Sequence, residues 1–127
     1  MVMPFVTDTH PLLWHMTDDP RLSLKVKRIF DEDYIFIPCI VFFELLYLVE
    51  KKKIISDFDA FLAVVSSSEN YNVEPLCLPI IEKSQRIPRE KVADPWDRLI
   101  AATSMHLSLP LITRDASLRE IGLEVVW

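Results

Sequence analysis

Short apolar, β-branched runs alternate along this chain with longer stretches of helical periodicity, and that alternation limits the fold more than any other feature. Phe5-Val6-Thr7, Tyr34 to Ile37, Val73 to Leu76, Leu111-Ile112-Thr113 and Leu123 to Trp127 read as strands. A first helix carries Leu12, Leu13 and Met16. Ser23 stands where an N-cap belongs, ahead of a stripe of Val26, Ile29 and Phe30. Pro38 stops the second strand, and Cys39 to Lys52 is a strongly apolar helix ending in lysines, which suit a helix C-terminus. Helices follow at Asp57 to Ser68, Pro79 to Ile87 and Asp94 to about His106, and Ser117 to Ile121 makes a helical turn. Strands separated by helices in this way require a parallel sheet covered on both faces. The expected architecture is α/β: a central parallel sheet of four to five strands flanked by helices, in one domain over residues 1–127.

Composition supports that reading and removes others. A chain of 127 residues, half of them hydrophobic, can bury a core without staples. Its single glycine, Gly122, excludes a collagen-like or low-complexity chain. No uncharged apolar run reaches the roughly 18 residues of a membrane span. The opening MVMPFVTDTH lacks the basic-then-apolar order of a secretory signal. Cys39 and Cys77 form no CxxC pair and no metal spacing, and read as reduced core residues of a cytoplasmic protein. A net charge of −5 argues against holding nucleic acid by bulk electrostatics, but not against a site that binds it through a metal.

Carboxylates stand where function would place them. Asp8 follows the first strand and Asp115 follows the strand at Leu111-Ile112-Thr113. Each suits a helix N-cap, yet ligands of open α/β sheets gather at those same strand ends. Glu44 is the only charged residue between Tyr34 and Val49, set among Phe42, Phe43, Leu45 and Leu46. It either snorkels to a salt bridge or faces a cation, because an unpaired buried carboxylate is costly. Asp94 and Asp97 flank Pro95 as a cap and its first turn, and a spacing of three puts both on one side of a helix. If these acids converge, they repel one another, and a hard divalent cation removes the conflict. Oxygen ligands suit Mg²⁺ or Mn²⁺, whereas His10, His15 and His106 share no zinc-ligand spacing. Thr113 either supports a carboxylate or fills its strand. Arg98 and Arg114 either touch phosphate or pair with an acid, and Lys51-Lys52-Lys53 is a solvated helix end or an RNA contact.

These residues, in this order, resemble the PIN-domain ribonucleases, in particular the VapC-type toxins of toxin–antitoxin pairs. The resemblance rests on Val6-Thr7-Asp8-Thr9-His10 with Leu12-Leu13-Trp14, on Glu44-Leu45, on Asp94-Pro95-Trp96-Asp97-Arg98-Leu99-Ile100-Ala101-Ala102, and on Leu109-Pro110-Leu111-Ile112-Thr113-Arg114-Asp115. It implies a PIN-like fold and a metal site of Asp8, Glu44, Asp97 and Asp115, with Asp94, Thr113 and Arg98 accessory. It also implies Mg²⁺- or Mn²⁺-dependent hydrolysis of RNA phosphodiesters to a 5′-phosphate and a 3′-hydroxyl. The chain departs from the family pattern at Val41, where a serine is common, at Val92, where a histidine is common, and at Lys51-Lys52-Lys53, where a glycine is common.

Two other functional classes compete: a non-catalytic PIN-like module that binds RNA or protein, and a phosphoacceptor receiver domain. Retention of every acid counts against the first. The second lacks an acid pair after the first strand and a late lysine. Phe42, Phe43, Leu46, Tyr47, Phe58, Phe61 and Leu62 exceed what one helix face usually shows, and are either core or a surface for a partner such as a second copy of the chain. The resemblance implies a homodimer that also binds a cognate antitoxin protein.

Overall fold

The computed structural model describes residues 3–127. In chain order the elements are β1 (Pro4–Thr7), α1 (Thr9–Met16), α2 (Leu24–Glu32), β2 (Tyr34–Pro38), α3 (Cys39–Glu50), α4 (Phe58–Ser67), β3 (Tyr71–Glu74), α5 (Leu78–Ser84), α6 (Pro95–Leu107), β4 (Leu111–Ile112), a 3-10 helix (Ala116–Ile121) and β5 (Val125–Val126). The five strands form one sheet in the order β3-β2-β1-β4-β5, and every pairing is parallel. The expected sheet flanked by helices is therefore present, with all five strands.

Burial explains the sheet's position. On β2, Ile35 and Ile37 are fully buried and Phe36 between them is half-buried, as befits a strand covered on both faces. Val6, Leu111 and Ile112 join them in the centre. Burying each such side chain contributes about 1.5–3 kcal/mol. On α2, Val26, Ile29 and Phe30 are buried as one stripe, and Ser23 caps the helix by accepting from the Val26 N–H at 3.2 Å.

Several expectations need correction. The third strand begins at Tyr71, two residues before the expected Val73. Asn70 sets this start: its Nδ2 donates to Phe30 O at 2.8 Å and Asp33 O at 2.9 Å, tying the strand's entry to the end of α2. Tyr71 is then buried against Phe30 and His15, while Val73 and Leu76, expected in the strand, are exposed. The fifth helix ends at Ser84, short of Ile87, and the last strand is only Val125–Val126. Neither cysteine lies in the core. Both are free thiols, but Cys39 is exposed and Cys77 only half-buried. The long helix α3 stops at Glu50, and Lys52 takes the left-handed conformation (φ 54°) that glycine usually supplies after a helix. The lysine run is therefore a helix exit built at some strain, not the helix's last turn.

Among the described residues no helix is long and apolar enough to cross a membrane.

Candidate active site

The order β3-β2-β1-β4-β5 reverses its direction of travel between β1 and β4. A crevice opens beyond the carboxyl ends of the strands at such a reversal, and ligands of α/β proteins bind there. Asp8 leaves β1 at this point, and its N–H donates to Ile112 O of β4 at 3.0 Å. Asp115 follows β4 on the other side. Helices preceding or following parallel strands run antiparallel to them, so α6 begins at this edge with Asp94 and Asp97. Helix α3 leaves it after β2, carrying Glu44. Four separate elements thus bring five carboxylates to one edge.

Two buried threonines hold the acids in place. Thr9 is fully buried. Its N–H donates to Asp8 Oδ1 at 2.7 Å and its hydroxyl to Glu44 Oε1 at 2.7 Å, so one residue fixes the acid that follows β1 and another on α3. Thr113 is 1 % exposed. Its hydroxyl donates to Asp8 Oδ2 at 2.9 Å and accepts from the Asp115 N–H at 3.2 Å. Each hydroxyl spends its single proton on a carboxylate, which restricts how those carboxylates turn.

The remaining acids are capped from their own helices. Asp94 Oδ1 accepts from the N–H groups of Trp96 (2.8 Å) and Asp97 (3.3 Å), as an N-cap should. Asp115 Oδ1 accepts from the N–H and hydroxyl of Ser117. Capping and clustering therefore coexist in the same residues.

Asp97 is the electrostatic centre. One side of it opens to solvent, yet its carboxyl is pushed up to about 7, first by desolvation and then by the charges of Asp8, Asp94, Glu44 and Asp115. None of these acids is in an ion pair among the described residues, where the pairs are His15–Asp31, Arg21–Asp19, Lys27–Asp18 and Lys91–Glu120, although His10 and Arg114 border a pocket with Asp8 and Asp115. Asp8, Asp97, Thr113 and Asp115 line a small cavity of about 50 Å³ over Ile100, Leu111 and Leu118. That is room for an ion and about one water.

A hard divalent cation fits this donor set. All the side-chain donors are oxygens, and their mutual repulsion falls when positive charge enters. Among the described residues no three His, Cys, Asp or Glu side chains are grouped closely enough to hold a metal ion directly. Mg²⁺ keeps several waters and takes one or two carboxylates directly, so the other acids would reach it through those waters.

Of the sequence candidates, Asp8, Glu44, Asp94, Asp97, Thr113 and Asp115 come together. Arg98 does not join them. Its Nη2 donates to Ser84 O (2.9 Å) and Ile87 O (3.1 Å), tying α6 to the exit of α5, so its role is to hold backbone. Arg114 is in no ion pair among the described residues: it borders a pocket with Asp8 and Asp115, and its guanidinium lies over the rings of Trp14 (5.3 Å) and Trp127 (5.7 Å). Sequence reasoning missed Thr9 and Ser117 as supports. Their signal was a hydroxyl residue one or two places after a strand-end aspartate.

An α/β domain whose five-stranded parallel sheet gathers acids at its central reversal defines the class, and the chain belongs to the PIN domain family, whose model it matches over residues 5–123. It is similar to Ribonuclease VapC22 of Mycobacterium tuberculosis, 26% identical over 113 residues, which covers 88% of this chain and 87% of that one. Solved structures share the fold. VapBC2 from Rickettsia felis, bound to a DNA fragment from its promoter, aligns with TM-score 0.74 at 18% identity over 98% of both chains. FitAcB from Neisseria gonorrhoeae aligns with TM-score 0.69 at 18% identity, over 97% of this chain and 96% of that one. A toxin–antitoxin complex from Klebsiella pneumoniae aligns with TM-score 0.66 at 22% identity, over 96% and 95%.

Proposed function

We propose that this chain, folded as one domain, is a metal-dependent endoribonuclease acting in the cytoplasm as the toxin of a toxin–antitoxin pair. The observation that carries the reading is the gathering of four carboxylates around Asp97, none of them in an ion pair among the described residues, in a PIN-family chain. Its relative in Mycobacterium tuberculosis is a ribonuclease, and two of its structural relatives are VapBC2 and a toxin–antitoxin complex.

Asp8, Glu44, Asp97 and Asp115 would hold Mg²⁺ or Mn²⁺, with Asp94 beside them. Bound there, the ion would supply Lewis-acid polarisation of the phosphate and a more acidic water. The chain's own residues do the positioning. Thr9 and Thr113 fix the carboxylates of Asp8 and Glu44 before anything binds, so little reorganisation is left for the reaction. Without positive charge the cluster repels phosphate, and RNA affinity at this edge therefore depends on the cation.

The expected partners beyond RNA are an antitoxin and a second copy of the chain. On the two helices read as apolar in excess, Phe42 and Phe61 are buried, Leu46 and Phe58 half-buried, and Phe43, Tyr47 and Leu62 exposed. Leu62 on α4, with Leu76, Leu78 and Ile81 around α5, leaves exposed apolar surface for a homodimer.

Sequencing RNA 5′ ends after inducing the protein tests the activity. Discrete new 5′-phosphate ends are expected from the wild type and not from Asp97→Asn. Equal cleavage by both proteins, or none by either, would overturn the proposal.

A further inference from the structure

We infer that the aromatic recess between α3 and the start of α6 receives one unstacked nucleobase of the RNA, which sets the phosphodiester that reaches the acids. The inference rests on the proposed ribonuclease reading and names how that site chooses its substrate.

The recess has a volume of about 390 Å³ and is lined by Phe43, Glu44, Tyr47, Leu48, Asp94 and Trp96. That volume is in the range of small-molecule sites. Glu44 and Asp94 also belong to the acid cluster around Asp97, so whatever occupies the recess lies directly beside the acids.

Its aromatic walls are left in water at a place where charge would otherwise be expected. Phe43 is 55% exposed, Tyr47 54% and Trp96 38%. Phe43 and Tyr47 are four apart on α3 and so share a face. Phe43 meets Trp96 edge to face, with centroids 5.4 Å apart at 81°, which makes a rigid corner. Aromatic side chains of this kind stack the bases of single-stranded RNA.

Two features favour a nucleotide over an apolar peptide. Lys51 Nζ lies over the ring of Tyr47, 5.7 Å from its centroid, which puts a positive charge within reach of the phosphate attached to a seated base. The recess also carries two carboxylates, which suit the exocyclic amine of adenine, cytosine or guanine. Asp94 makes its cap bonds through Oδ1 alone, leaving Oδ2 for such a donor. Uracil has no exocyclic amine and should be the poorest occupant.

The test is a coupling experiment with a short fluorescent RNA, made abasic at one position at a time. Binding is read by anisotropy with Ca²⁺, another oxygen-seeking cation. In the wild type, one position beside the cleaved bond should weaken binding about 5- to 150-fold when its base is removed, the range for one base–aromatic stack. In Phe43→Ala the same removal should cost no more than about twofold, because the two changes delete one contact. Tyr47→Ala provides a second variant if Phe43→Ala folds poorly. RNA that is cleaved but shows no coupled position overturns this inference alone. A variant that lowers the oligomeric mass, or loses only a protein partner, with an unchanged base profile also overturns it. Protein that neither binds nor cuts RNA overturns the ribonuclease reading as well.

Discussion

Replacing Asp97 with asparagine should make the metal-free protein more stable at pH 8 while removing its hold on divalent ions. The carboxyl of Asp97 is raised from its ordinary 3.8 to about 7 in the folded chain. Between those values the unfolded chain has released the proton and the folded chain has kept it. Folding then binds more protons than unfolding, so stability falls as pH rises from about 4 to about 7 and is flat beyond. The ceiling on the loss is about 4 kcal/mol, at 1.36 kcal/mol per pH unit. Asp97 opens to water, which screens the repulsion, and we discount the cost to about 1–2 kcal/mol. Asparagine removes the charge with nearly the same shape. Thermal unfolding in chelator should show a midpoint about 3–10 °C higher for Asp97→Asn at pH 8. The gap should close at pH 4, where the wild-type carboxyl is protonated in the fold. Saturating Mg²⁺ should reverse the order, since a ligand that binds only the folded state stabilises it. A variant no more stable than wild type at pH 8, or equally improved at both pH values, would refute the electrostatic reasoning.

Two further substitutions separate support from structure. Thr113→Val keeps the side-chain shape and deletes the hydroxyl that joins Asp8 to Asp115. It should cost about 1–2 kcal/mol in denaturant unfolding and at least about tenfold in Mn²⁺ affinity, and unchanged metal affinity would mean the hydroxyl does not organise the acids. Arg98→Met leaves the carbonyls of Ser84 and Ile87 without their partner and should cost about 2 kcal/mol in the same assay. Its Mn²⁺ affinity should match the wild type, and a marked fall would return Arg98 to the site.

What the sequence made legible follows from the range of its signals. Strand–helix alternation is local, so the elements of the sheet could be read from it. The strand order could not, because no residue of β1 announces that both β2 and β4 will pair with it. The placement of Asp8 and Asp115 at strand ends suggested a common edge, but their actual proximity depends on that pairing. Glu44 was visible as a lone charge in an apolar helix, whereas its partner Thr9 was hidden behind the adjacent Asp8. Arg98 misled because it stands within the acidic motif. A residue one position after Asp97 points about 100° away around the helix, toward α5. Residue type alone puts Cys39 in the core, but the first residue of a helix at the sheet's edge is open to water.

The most direct test counts Mn²⁺ bound to the purified protein by electron paramagnetic resonance, for the wild type and for Asp8→Asn and Asp97→Asn. If the acids form one cation site, the wild type should bind the ion saturably and both variants should bind it at least about tenfold more weakly while remaining folded. Wild-type protein that binds no Mn²⁺ at millimolar concentration, or variants that bind it as well as wild type, would contradict the site.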